Sequence, residues 1–220
     1  MTNAAPYLIV GASLAGAKAA EALRAAGFDG PVVLIGAETE MPYERPPLSK
    51  GYLQGKAERE VIYVHPAEWY QEANIDLRLG ATVTAIDRAA HEVVLADGSR
   101  VGYGKLLLTT GSSPRRLPVP GADLDGVLYL RSVGDSDRIK AMLGSAASIA
   151  VIGAGWIGLE VTAAAREAGV AVTLLEAAEL PLLRVLGPEV AQVFAALHGE
   201  HGVDRDSVCR LPRSPARTAT

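Results

Sequence analysis

Two glycine-rich turns of the same design, about 140 residues apart, bound what this chain can fold into. Each is preceded by a short apolar strand and followed by an alanine-rich helix, a second apolar strand and a glutamate. In the first, Tyr7 to Val10 leads into Gly11, Ser13 and Gly16, a helix runs to Gly27, and Val32 to Ile35 is followed by Glu38. In the second, Ala150 to Ile152 leads into Gly153, Gly155 and Gly158, a helix runs to Gly169, and Ala171 to Leu175 delivers Glu176. Two such crossover units predict an α/β fold with two Rossmann-like dinucleotide-binding domains, each three-layered around a mostly parallel sheet.

Each residue type has a chemical reason to be there. The first glycine permits a tight turn, the second lets the backbone approach a pyrophosphate, and the third lets the helix pack on the strand. The helix N-terminus adds free N–H groups and a partial positive charge, and the glutamate can accept from ribose hydroxyls. A single glycine turn between a strand and a helix also serves packing alone. Two in the same context, each with its acid, point to two dinucleotide sites. Ser13 makes the first turn the weaker match, since a small serine fits the middle position at some cost in backbone approach.

With 220 residues, 49% of them hydrophobic, the chain can bury a sizeable core but is short for two complete domains. A net charge of −4 leaves no nucleic-acid footprint, and only the last sixteen residues, with four arginines, are basic. The apolar run Tyr7 to Val10 is too short for a signal or membrane helix, so a cytoplasmic protein without membrane association is expected. Cys209 is the single cysteine, which excludes an internal disulfide, and no metal site is expected.

Between the turns the pattern changes to short strands. Thr82 to Ile86, Glu92 to Ala96 and Arg100 to Tyr103 predict a three-stranded β-meander with a hairpin turn at Asp97-Gly98. Lys105 to Thr110 predicts a strand buried on both faces. Pro114 to Pro120 reads as a connector, Val133 to Leu143 as a helix, and Pro188 to His198 as the last helix.

The run Pro42-Tyr43-Glu44-Arg45-Pro46-Pro47-Leu48-Ser49-Lys50 offers fixed backbone, two cations and an N-cap serine. On spacing alone it lines a flavin or is a proline-rich surface turn. Together with the Gly11 turn, Thr109-Thr110-Gly111-Ser-Ser-Pro114-Arg115 and Gly153-Ala-Gly155-Trp-Ile157-Gly158-Leu-Glu160, in that order, it resembles the FAD-dependent NADH:ferredoxin reductases. These serve bacterial Rieske dioxygenases and cytochrome monooxygenases and are related to apoptosis-inducing factor. The resemblance covers about residues 6 to 204.

The resemblance implies that Gly11, Ser13, Gly16 and Glu38 hold the ADP half of FAD, with Val83 beside the adenine. Arg45, Pro47 and Lys50 approach the flavin, and Thr110, Gly111 and Arg115 contact the cofactor near the crossing into the next domain. Gly153, Gly155, Ile157, Gly158 and Glu176 bind NAD(H). Glu160 faces the nicotinamide and pairs with Lys50 beside flavin N5. For a lone Lys or Glu the ordinary reading is surface charge, and only the motif placement favours a catalytic pair. The implied chemistry is hydride transfer from NADH to FAD, then single-electron release to a ferredoxin-type iron–sulfur protein. The wider superfamily includes disulfide reductases and cysteine peroxidases, but no cysteine precedes position 209, so electrons leave the flavin directly.

The resemblance also implies further elements: closing strands, a return segment with a glycine–aspartate cofactor contact, and a C-terminal domain. None is in this sequence. The reading is therefore of two incomplete domains, an FAD-binding portion in 1–115 and an NAD-binding portion in 116–204, followed by a disordered tail in 205–220 unrelated to the family. On that reading the chain retains little FAD, and a catalytically inactive nucleotide-binding fragment is the alternative to an active reductase.

Overall fold

The computed structural model describes residues 5–206. The chain divides into two units, Met1–Arg45 with Arg59–Ser112, and Pro46–Glu58 with Ser113–Thr220.

In the first unit, β1 (Tyr7–Val10), α1 (Leu14–Ala25) and β2 (Val32–Ile35) form the expected crossover, and α2 (Ala67–Glu72) leads to β3 (Ile75–Arg78). The meander follows as β4 (Val83–Asp87), β5 (Glu92–Leu95) and β6 (Arg100–Gly102), and the chain returns to the parallel sheet through β7 (Lys105–Leu108). The parallel sheet has the order β3-β2-β1-β7, and the meander is a separate antiparallel sheet, β4-β5-β6. Alternation along the strands makes three layers. Leu8, Val10, Val33 and Ile35 pack against Val93, Leu95 and Tyr103 of the meander side. Ile9, Val32 and Leu34 pack with Ala17 and Ala20 of α1 and Tyr70 of α2. Alanines on α1 let the helix lie close on the sheet, while Arg24 fastens its end by donating to the carbonyls of Phe28, Gly30, Ala73 and Asn74.

One expectation fails here. The leucine-rich strand is β7, ending at Leu108, and it is not buried on both faces: Leu107 is 43% and Leu108 54% exposed. Among the described residues β7 has one ladder neighbour, β1, and stands at the edge of the sheet. An apolar run reads as a central strand of a parallel sheet, and nothing local in it encodes how many neighbours it has.

The second unit contains α3 (Val133–Leu143), β8 (Ser148–Ile152), α4 (Trp156–Glu167), β9 (Ala171–Leu175), α5 (Leu183–Glu200) and β10 (Asp204–Asp206). Its parallel sheet has the order β10-β9-β8. The core gathers Ile139, Leu143, Leu159, Val172, Leu174, Leu182 and Val203 around Leu53, which the Pro46–Glu58 segment contributes. α5 is kinked at Gly187 (φ 76°, ψ 170°), so its regular part begins at Pro188 as the sequence predicts. The strand pattern reaches further than periodicity suggested: Arg205 and Asp206, assigned to the tail, lie in β10, paired with Leu174 and Leu175. Backbone pairing needs no apolar alternation. The rest of the expected tail, 207–220, lies outside the described residues.

α3 begins with a capping box in which the Ser132 hydroxyl accepts from the Asp135 amide and the Asp135 carboxylate accepts from the Ser132 amide. Burial pushes the Asp135 carboxyl up, but hydrogen bonds from Ser132, Arg138 and the Arg131 amide outweigh it and hold the carboxyl below its ordinary value. A depressed carboxyl contributes stability above its unfolded value of ~3.9, and loses it as pH falls through the lower folded one. Ser132→Ala should cost about 1 kcal/mol at neutral pH, with the difference from wild type shrinking on acidification below about pH 4. Thermal melts at neutral and acid pH check this, and a pH-independent difference counts against the Asp135 linkage.

Candidate cofactor-binding sites

The two glycine turns share their strand bond, their positive φ and their packed third glycine. The Gly11 amide donates to the Ile35 carbonyl at 2.7 Å, and the Gly153 amide to the Leu175 carbonyl at 2.8 Å. Both turns need positive φ at the first glycine, 116° and 101°. A Cβ at Gly16 would overlap the Gly11 carbonyl oxygen, and one at Gly158 would overlap that of Gly153. The third glycine is thus a packing requirement in both. The middle position differs. A Cβ at Gly155 would meet nothing within 4 Å, so this backbone faces open space. In the first turn Ser13 is extended and its hydroxyl reaches the Tyr43 carbonyl at 3.4 Å rather than capping α1. Neither α1 nor α4 has a side-chain N-cap hydrogen bond. First-turn amides without a side-chain acceptor at a helix N-terminus suit a pyrophosphate.

The two glutamates are held differently. Glu176 directly follows β9, and its carboxylate accepts from the Ala154 amide at 2.7 Å and the Ala178 amide at 2.9 Å, clamping the glycine turn itself. A carboxylate has about four acceptor sites, so two remain for ribose hydroxyls. Glu38 lies three residues beyond β2 and accepts instead from Tyr43 Oη at 2.5 Å and Arg45 at 2.7 Å, with Arg45 also donating to Tyr43 Oη. A second set of the same composition stands beside it in sequence. Glu40 accepts from Arg59 at 2.7 Å and from Tyr63 Oη at 3.0 Å. Tyr43 and Tyr63 form an antiparallel bridge, and the Glu44 and Val64 amides bond the carbonyls of Ile62 and Pro42. Arg45 and Arg59 are the residues at which the chain leaves and re-enters the first unit, so two Glu–Arg–Tyr sets tie the ends of the excursion that carries Lys50.

Within the second unit, that excursion opens with a 3-10 turn at Pro46–Ser49. Pro47 is half-buried there, and its carbonyl accepts from the Lys50 and Tyr52 amides. Lys50 Nζ lies 2.9 Å from Glu160 Oε1, an ion pair between side chains 54% and 26% exposed. Ser49 Oγ donates to Glu160 Oε2 at 2.5 Å. The buried Ser136 hydroxyl donates to the Leu48 carbonyl, Tyr52 Oη donates to Asp137, and Lys56 pairs with Glu167. The structure therefore brings Lys50 and Glu160 together, held by Ser49, which the sequence offered as an N-cap, and by Tyr52, Ser136 and Asp137, which spacing alone did not single out.

The remaining candidates are more scattered. Val83 opens β4 and packs half-buried against the meander core. Thr110 and Gly111 are exposed, Gly111 with φ 70°, while the neighbouring half-buried Thr109 closes the first turn by donating to the Gly11 carbonyl at 2.8 Å. Arg115 is exposed in the connector, and Ile157, in the first turn of α4, is also exposed.

Comparison with known proteins identifies the family. The model of the pyridine nucleotide-disulphide oxidoreductases matches residues 5–209. The chain is 45% identical to rhodocoxin reductase of Rhodococcus erythropolis over 196 residues, 89% of this chain and 46% of that protein. It is 43% identical to putidaredoxin reductase of Pseudomonas putida over 200 residues, 90% of this chain and 47% of that protein. Among solved structures, the covalent putidaredoxin reductase–putidaredoxin complex matches with a TM-score of 0.88 and 42% identity, covering 93% of this chain and 50% of that one. The ferredoxin reductase for the CYP199A2 system of Rhodopseudomonas palustris matches with a TM-score of 0.88 and 37% identity, covering 92% and 50%. The chain belongs to the pyridine nucleotide-disulphide oxidoreductase family. It spans about half the length of the curated relatives it matches.

Proposed function

We propose that the protein is an NADH-dependent flavoprotein reductase that delivers single electrons to a ferredoxin-type iron–sulfur protein. FAD is assigned to the first glycine turn, with Gly11, Ser13, Gly16, Glu38, Arg45, Pro47, Lys50, Val83, Thr110, Gly111 and Arg115. NAD(H) is assigned to the second, with Gly153, Gly155, Ile157, Gly158 and Glu176. The observation that carries the reading is the equivalence of the two turns: matched strand-to-turn hydrogen bonds and a third glycine pressed on the first in both. The names of the similar reductases support a ferredoxin-type acceptor. The division into an FAD-binding portion in 1–115 and an NAD-binding portion in 116–204 has support in the two compact units, except that Pro46–Glu58 groups with the second. No described helix is long and apolar enough to cross a membrane, and a cytoplasmic location is part of the proposal.

Bound FAD would supply hydride acceptance and the division of the electron pair. The chain's own groups bind and orient. The α1 and α4 N-termini offer amides to the pyrophosphates, Glu176 holds its turn in shape and offers acceptors to the ribose, and Lys50 and Glu160 are assigned to the hydride-transfer step. Purified protein loaded with FAD should show the flavin absorbance band, lose it anaerobically on adding NADH, and recover it on adding an oxidised ferredoxin. A protein that binds NADH without taking up flavin would favour a nucleotide-binding role instead.

Glu176 also predicts the nucleotide. A carboxylate at the ribose repels a 2′-phosphate, so NADH should be preferred to NADPH. Glu176→Arg should narrow or invert that preference in the steady-state kcat/KM ratio, whereas Glu176→Ala, which releases the turn and removes both the ribose acceptors and the repulsion, should weaken NADH most and narrow the preference without inverting it. Unchanged discrimination in the arginine variant would remove Glu176 from the site.

A further inference from the structure

We propose that Ser49 is a positioning residue, whose hydroxyl sets the Glu160 carboxylate so that one oxygen faces Lys50. Its functional meaning rests on the reading that Lys50 and Glu160 serve hydride transfer; its geometric meaning does not. Adjacent residues grip the two oxygens of one carboxylate: Ser49 Oγ holds Oε2 at 2.5 Å and Lys50 Nζ holds Oε1 at 2.9 Å. The two contacts differ in kind. Lys50 is a long, half-exposed side chain, and such a pair by itself is loosely ordered because both partners lose rotamer freedom in making it. Ser49 is 5% exposed, and a short hydroxyl-to-carboxylate bond is charge-assisted and directional.

Ser49 is itself well anchored. Pro46 and Pro47 fix φ at the start of its turn, the buried Ser136 hydroxyl donates to the preceding Leu48 carbonyl at 2.8 Å, and Tyr52 Oη donates to Asp137 at 2.6 Å. Order therefore passes from α3 through the turn to Ser49, from Ser49 to Glu160, and from Glu160 to Lys50. Alanine at position 49 removes the hydroxyl and leaves the backbone and packing nearly unchanged, so it isolates this step.

The test has a readout that needs no bound cofactor. In the purified protein, the rate at which an amine-acylating reagent modifies Lys50 is followed by mass spectrometry, with Lys56, paired to Glu167 on the same segment, as internal reference. Ser49→Ala should raise Lys50 labelling about two- to fivefold, the size expected when a half-exposed pair is weakened, and leave Lys56 unchanged. Unchanged Lys50 labelling overturns the proposal, as does a parallel rise at both lysines, which would mean that Ser49 only holds the segment. In FAD-loaded protein, Ser49→Ala should slow flavin reduction by NADH but add nothing in a Glu160→Gln background, the non-additivity expected of residues acting through one group. Additive losses overturn it. If Lys50 labelling rises as expected while Glu160→Gln reduces normally, the positioning stands and the hydride-transfer reading fails.

Discussion

On the proposed reading, Lys50→Ala and Glu160→Gln should each slow reduction of bound flavin by NADH about a hundredfold, the order seen when one preorganised electrostatic group is removed from a reacting centre. Neither moves the melting temperature by much. Lys50 is 54% exposed and Glu160 26%, and an ion pair of that exposure contributes only about 0–1 kcal/mol to folding. The segment carrying Lys50 is held by other contacts, the Leu48 carbonyl bond, Tyr52 to Asp137 and the packing of Leu53, all of which survive both substitutions. Anaerobic rapid mixing and calorimetry on the same samples separate the two effects. Normal reduction in both variants would end the assignment, and a large loss of stability would make the pair structural.

The second large effect splits the glycines of the second turn by role. Gly158→Ala pushes a methyl group into the Gly153 carbonyl oxygen, so α4 must shift on the sheet, at about 1–3 kcal/mol, the usual cost of overpacking. Gly155→Ala adds its methyl group to open space, and the backbone there, φ −79° and ψ −177°, is one that alanine adopts freely. It should leave stability within about 1 kcal/mol and weaken NADH binding about 10- to 100-fold, because the lost approach forfeits hydrogen bonds to a charged phosphate worth about 1.5–3 kcal/mol. Melting curves and nucleotide titrations of both variants decide it. Equal loss of stability in the two would make Gly155 another packing glycine.

The parts of this structure that are local in sequence were legible there. Each glycine turn lies within one contiguous strand–turn–helix stretch, so spacing alone gave both turns and their two crossover units. The meander followed from alternation around Asp97-Gly98, and α3 kept the bounds Val133–Leu143 that its pattern suggested. What depends on distant neighbours was not legible. The edge position of β7 is a property of the sheet, so its leucines misled. α2 has six residues and β3 four, too few for a period to declare itself. The Pro46–Glu58 segment follows the first crossover in sequence yet packs with the second unit, a choice made by Leu53 and by Ser136 on α3. The Glu38–Tyr43–Arg45 and Glu40–Arg59–Tyr63 sets join residues up to 23 apart. Ser49 read as a helix cap, and its actual partner lies 111 residues away.

If the two turns hold a hydride donor and its flavin acceptor, anaerobic titration of the FAD-loaded protein with NADH should bleach the flavin band fully at one NADH per flavin. NADPH should bleach it far more slowly, and oxidised ferredoxin should restore it. A flavin band that persists in excess NADH would contradict that assignment.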